Sequence, residues 1–278
     1  MGTSESARVV LITGASSGIG KICAQHLQQR GYRVYGTSRS ASFADALAAK
    51  GVVLIPMDVG SEESVQQAVQ WILARENSID VVVNNAGNGI AGAVEDTSIA
   101  EAQAQFDTNF FGMLRVCRAT LPLLRRQGAG YLINISSIAG LVGVPFQGLY
   151  SASKFAIEGL TESLRAEVRP YGVRVALIEP GDFHTGFTAQ RSIAVAAQAA
   201  TDYSERFRMA LGVMEKDETG GATPEAIARL LERIINTPVP KLRHMVGPTS
   251  QKLSVSLIKK LLPQKMFESI IDRYYGIW

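Results

Sequence analysis

Short, unbroken runs of Val, Ile and Leu alternate along this chain with longer segments of helical spacing, and that alternation constrains the fold more than any other feature. Arg8–Thr13, Arg33–Ser38, Val52–Ile55, Ile79–Asn84, Tyr131–Ser136 and Val173–Glu179 read as strands, with His244–Gly247 a short seventh. Gly18–Arg30 and Ser61–Arg75 read as helices, and longer helices are expected over Ser98–Arg126 and Leu149–Arg169. A strand that is apolar at nearly every position is buried on both faces, as in a parallel sheet covered by helices. Parallel neighbours need right-handed crossovers, so the expected fold is α/β: a doubly wound, mostly parallel seven-stranded sheet with helices on both faces. With 46% hydrophobic residues, no solenoid repeat and no dividing linker, the 278 residues read as a single domain, 1–278. Within it, 1–7 is expected to be a flexible start, 188–215 a cap over the substrate and 248–278 a helical extension. Ligands of such sheets bind beyond the carboxyl ends of the strands, and the loops there carry the chemistry.

The first of these loops is Thr13-Gly14-Ala15-Ser16-Ser17-Gly18-Ile19-Gly20. Glycines permit a tight turn and let a pyrophosphate approach the backbone, and the following helix offers free N–H groups and the positive end of its dipole. A plain glycine-rich turn is the alternative. Its position between the first strand and a helix favours a dinucleotide and a Rossmann-type fold. The spacing is G-x-x-x-G-x-G rather than the commoner G-x-G-x-x-G.

Further motifs follow in order: Asn84-Asn85-Ala86-Gly87 after the fourth strand, Asn109 in the next helix, Ser136-Ser137 after the fifth strand, Tyr150-x-x-x-Lys154, and Pro180-Gly181 after the sixth. Together, over roughly Val9 to Thr185, they resemble the short-chain dehydrogenase/reductase family. The segment Glu179–Phe187 resembles its 17β-hydroxysteroid dehydrogenase-like and retinol dehydrogenase-like branch.

Tyr150 and Lys154 stand four apart and share one helix face. A tyrosine titrates near about 10, too high for ready acid–base work, and a neighbouring ammonium is expected to lower it. Taken alone, the pair could be an ordinary Tyr and Lys on an amphipathic helix. The resemblance implies that Tyr150 exchanges the proton with the reacting oxygen, that Ser137 hydrogen-bonds that oxygen while Ser136 is structural, that Lys154 also holds the nicotinamide ribose, and that Asn109 anchors a water behind the lysine. It further implies cofactor contacts from Gly14, Ser16, Ser17, Gly18, Ile19 and Gly20, from Asp58 and Val59 at the adenine, from Asn85, Ala86 and Gly87 at the adenosine ribose, and from Pro180, Gly181 and Thr185 at the nicotinamide.

The second strand ends Gly36-Thr37-Ser38-Arg39. Similar NAD-dependent enzymes carry an acid near Ser38 that binds the adenosine ribose. Ser38 is neutral, and the planar fork of Arg39 suits a 2′-phosphate, so NADP(H) is expected over NAD(H). A solvated loop arginine is the plainer reading.

Leu141, Val142, Val144 and Phe146 make an apolar loop after Ser137, and Phe183 and Phe187 are expected to face it across the substrate. His184 is read as a pocket wall, since the proton-transfer set is complete without it. These residues suggest NADP(H)-dependent reduction of a ketone or aldehyde on an apolar, lipid- or steroid-like molecule. Oxidation of an alcohol, hydroxysteroid or retinol by the same site is the alternative. A non-catalytic dinucleotide sensor is disfavoured because both Tyr150 and Lys154 are present.

Charge is uneven: seven Lys and Arg from Val239 onward face only Glu268 and Asp272, about +5 against a total of +3. Met266, Phe267, Ile270, Ile271 and Tyr274 share a helical face, so Val255–Trp278 is expected to be an amphipathic lid. Packing on the body or against another subunit is the favoured role for this tail, and peripheral membrane contact the lesser one. Nothing suggests nucleic-acid binding. The two cysteines, Cys23 and Cys117, read as buried thiols, and no metal site is expected. The polar start has no signal-peptide core, and the expected setting is the cytoplasm, with a homodimer or homotetramer as the assembly.

Overall fold

A computed structural model describes residues 7–39, 47–48, 50–253 and 259–278. All seven expected strands are present: β1 (Val9–Ile12), β2 (Arg33–Ser38), β3 (Val53–Pro56), β4 (Val81–Asn84), β6 (Gly130–Ile135), β7 (Val173–Pro180) and β9 (Arg243–Val246). They form one sheet in the order β3-β2-β1-β4-β6-β7-β9, and every pairing is parallel. Two further strands, β5 (Ile90–Ala91) and β8 (Ser192–Ile193), pair with each other outside it. The helices are α1 (Gly18–Gln29), α2 (Glu62–Glu76), α3 (Ile99–Phe106), α4 (Gly112–Gln127), α5 (Gly148–Val168), α6 (Phe187–Gln190), α7 (Ser204–Thr219), α8 (Glu225–Ile235), α9 (Thr249–Leu253), α10 (Lys259–Leu261) and α11 (Gln264–Tyr274).

The pleat splits the apolar runs between two cores. Val9, Leu11, Val82, Leu132, Val175 and Leu177 point to the face covered by α2, α4 and α5. Val10, Ile12, Val83, Ile133, Ala176 and Ile178 point to the face covered by α1 and α8. This double burial is why the strands lack polar alternation. Strand order reverses between β1 and β4, so the loops after these strands diverge and leave a crevice at their carboxyl ends.

Two polar residues inside the sheet link β4, β6 and α5. Asn84 donates to Asn134 at 2.8 Å, and Asn134 donates to Thr161 of α5 at 2.9 Å, with Asn134 fully buried. Asn134→Ala leaves the Asn84 amide only the weak Cys117 sulfur as acceptor, and a loss of about 1–3 kcal/mol is expected. A urea titration should show a lower midpoint at unchanged slope; an unmoved midpoint would contradict the ladder's contribution.

The long helix expected over Ser98–Arg126 runs from Ile99 to Gln127, but its winding is not uniform. It opens with Ser98 in a capping box with Glu101, but between α3 and α4 the residues Asp107–Phe111 form a π-turn. Arg115 holds that turn, donating to Asp107 at 2.7 Å and to the Val59 carbonyl at 3.1 Å. Of the expected tail helix, 254–258 lie outside the described residues, as do 1–6 of the expected flexible start. Among the described residues no helix is long and apolar enough to cross a membrane.

Candidate active site

The crevice is a cavity of about 570 Å³, open at the carboxyl ends of the strands. One end is the glycine turn. Gly14 has φ +65°, and a Cβ there would stand 2.9 Å from the Ala86 backbone. Gly20 is packed harder: its Cβ would lie 2.4 Å from both the Gly14 carbonyl and the Asn85 amide. Asn85 locks the turn by donating to the carbonyls of Thr13 and Gly14. The α1 N-cap, Ser17, makes no side-chain cap, so backbone N–H groups face the cavity where Ser16, Ser17, Gly18 and Ile19 line it. A turn closed to side chains and rich in free donors fits a pyrophosphate.

The other end holds the titratable groups. Ser137 follows β6, accepts from the Ala139 N–H at 3.1 Å and lies 3.5 Å from the Pro180 carbonyl. Tyr150 and Lys154 occupy successive turns of α5. The Phe187 ring covers Tyr150, 5.6 Å between centroids. Burial beneath it pushes the phenol up to about 12, with Ser137 pulling the other way. The expected lowering by Lys154 is therefore not seen: Lys154 Nζ donates to the Ile135 carbonyl at 3.0 Å, away from the phenol oxygen. Burial brings Lys154 down to about 8, opposed by Glu158 one turn on.

Every residue expected to meet the dinucleotide lines this cavity except Gly20, which serves close packing beneath the turn. Of the expected substrate wall, Ser137, Val142, Tyr150, Phe183 and Phe187 line it. Leu141, Phe146 and His184 do not. Leu141 caps the short turn after Ser137, and its carbonyl accepts from Lys259. Phe146, at φ 59°, turns its ring onto Phe207. His184 is exposed, because Phe183 beside it takes the buried position. Asn109 is buried behind the wall in the π-turn. Its amide donates to the Asn88 carbonyl and to Ser153, and its oxygen accepts from Asn88 N–H, so the side chain braces the loop after β4.

Several lining residues escaped the sequence reading. Asp217 and Glu218 come from α7, Gln251 from α9, and Asp182 from the loop after β7, whereas Met214 of α7 falls in the expected cap. The tail supplies Phe267, Ile270, Ile271, Tyr274 and Tyr275, so its apolar face is a wall of the cavity, while Met266 points outward.

Residues 8–195 match the family described as short chain dehydrogenase. The chain belongs to this family. The chain is 43% identical to the 3-ketodihydrosphingosine reductase of Bacteroides thetaiotaomicron, over 97% of this chain and 98% of that one. It is 37% identical to human retinol dehydrogenase 8, over 86% of this chain and 81% of that one. Among solved structures, a short-chain dehydrogenase from Streptomyces avermitilis superposes with a TM-score of 0.82 at 31% identity, covering 99% of this chain and 98% of its own. An alcohol dehydrogenase from Thermococcus sibiricus, solved with 5-hydroxy-NADP, superposes at 0.70 with 27% identity, over 87% of this chain and 97% of its own. This short-chain dehydrogenase is thus an oxidoreductase of the CH–OH/C=O class with a Rossmann-type sheet.

Proposed function

We propose that this short-chain dehydrogenase uses NADPH to reduce a ketone on a long apolar, lipid-like molecule, with Tyr150 as the proton donor. The observation that carries the reading is a single cavity joining the free N–H groups of α1 to Tyr150 and Ser137. When bound there, the dinucleotide supplies a hydride to the carbonyl carbon. Tyr150 delivers a proton to the carbonyl oxygen, and Ser137 donates a hydrogen bond to the charge that grows on it. Lys154, released from Ile135, steadies the phenolate that remains. Asn109 acts through its brace on Asn88. The walls built by Val142, Phe183, Phe187, Met214, Phe267 and Ile271 support an apolar substrate, and the name of the Bacteroides relative supports a keto-lipid. Alcohol oxidation, suggested by the name of the human relative, is the second reading.

The test is consumption of NADPH with a panel of long-chain and steroid ketones; no turnover with any of them would overturn the proposal. Cofactor choice has its own test. Arg39 lines the cavity at the end of β2, next to the neutral Ser38. One charge-assisted contact is worth roughly 1.5–3 kcal/mol, so Arg39→Ala should weaken NADPH binding by about tenfold to a hundredfold. NADH binding should hardly change. Equal affinity of the wild type for NADH and NADPH, or equal weakening of both in the variant, would refute the preference.

A further inference from the structure

The catalytic end of the cavity holds more negative charge than reduction of a neutral ketone needs. Asp182, Asp217 and Glu218 all line it. Glu218 is matched, because the buried Arg191 pairs with it. Asp182 and Asp217 form no ion pair among the described residues, and Asp182 feels only the more distant charge of Arg191, already paired with Glu218. Gln251 clamps Asp182, its amide donating to Oδ2 while its oxygen accepts from the Asp182 N–H at 3.0 Å. The Tyr274 hydroxyl donates to Asp217 at 2.6 Å. Phe183, Phe187, Phe267 and Ile271 line the same cavity and offer surface that cannot solvate a charge.

Asp182 also lies near the reacting hydroxyls. It lies two residues beyond Pro180, whose carbonyl is 3.5 Å from the Ser137 hydroxyl. Its charge, like that of Glu218, is felt at the Tyr150 phenol. Burial, with the charges of Glu218 and Asp217 near it, pushes its own carboxyl up to about 6. A carboxylate held at such cost beside the reacting hydroxyls is stabilised by a cation that arrives with the substrate.

Resting on the reading of this cavity as a ketone-reducing site, we propose that Asp182, supported by Asp217, selects substrates that carry a protonated amine next to the ketone, which makes the substrate class long-chain α-amino ketones. The ammonium would sit between the carboxylate and the carbonyl that Ser137 and Tyr150 address. Its positive charge also draws electron density from that carbonyl and favours hydride addition. The contrasting account is that Asp182 does no more than tie the loop after β7 to α9 through Gln251.

The experiment compares two ketones of equal chain length in the same detergent micelle, one with an amine on the carbon beside the carbonyl and one with hydrogen there. The wild-type enzyme with NADPH is expected to favour the amine in kcat/KM by at least about tenfold, and Asp182→Asn to reduce that ratio by about tenfold to a hundredfold. Asp217→Asn should reduce it in the same direction by less. The wild-type ratio needs no variant to fold. Equal kcat/KM for the two ketones in the wild type, or an unchanged ratio in Asp182→Asn, overturns the proposal while leaving ketone reduction standing. Turnover of neither ketone overturns both.

Discussion

Tyr150→Phe is expected to lower turnover by at least about three orders of magnitude while leaving dinucleotide affinity nearly unchanged. Only one oxygen is removed, and it addresses the reacting carbonyl rather than the cofactor. The Phe187 ring that covers Tyr150 would pack equally well on phenylalanine, so the fold should not suffer. The elevated titration of the phenol, about 12, keeps the proton on oxygen through the neutral range. Reduction requires that form, since it consumes the proton as the alcohol forms. Single-turnover consumption of NADPH, paired with a fluorescence titration of the cofactor, measures both quantities. A variant that kept a tenth of normal turnover would sink the assignment.

Lys154→Met is expected to cost about two to three orders of magnitude in turnover, and unlike Tyr150→Phe it should also weaken the cofactor. Methionine keeps the length and apolar stem of lysine but removes the ammonium. The pH dependence supplies the sign. Burial lowers Lys154 to about 8, so the ammonium is present below that pH and lost above it. Wild-type reduction should therefore fall as pH rises past about 8, with no such fall in Lys154→Met between pH about 7 and 9. A wild-type profile that stays level through this range would separate the ammonium from the rate.

Much of this arrangement was legible in the sequence because it depends on local spacing. The uninterrupted strands could only be central and parallel, and the glycine turn, Ser137, Tyr150 and Lys154 each follow a strand end or lie on one helix face. What escaped depends on chain segments meeting from afar. Asp182, Asp217 and Gln251 belong to three separate elements, and no periodicity in any one of them points to the others. Leu141 and Phe146 look like pocket residues by hydropathy, yet one caps a turn and the other turns back onto Phe207. His184 failed for a related reason: in an irregular segment neighbouring side chains diverge, and Phe183 took the inward place. The titration of Tyr150 could not be inferred from the nearby lysine, because the ammonium turns to the Ile135 carbonyl and burial, with Phe187 of α6 over the ring, governs the phenol.

The π-turn at Asp107–Phe111 makes the length of this segment as consequential as its composition. A π-turn holds an extra residue within a helix whose ends are otherwise in ordinary phase. Deleting a residue beside Asn109 in this turn would restore regular winding, leave the flanking turns in phase and remove the wide turn that aims Asn109. Asn109 would swing away from Asn88 and Ser153, although its identity would be untouched. A lineage that drifted freely in the exposed positions of α3 would thus remain bound to an exact count of residues between Ser98 and Gly112, a constraint carried by spacing alone.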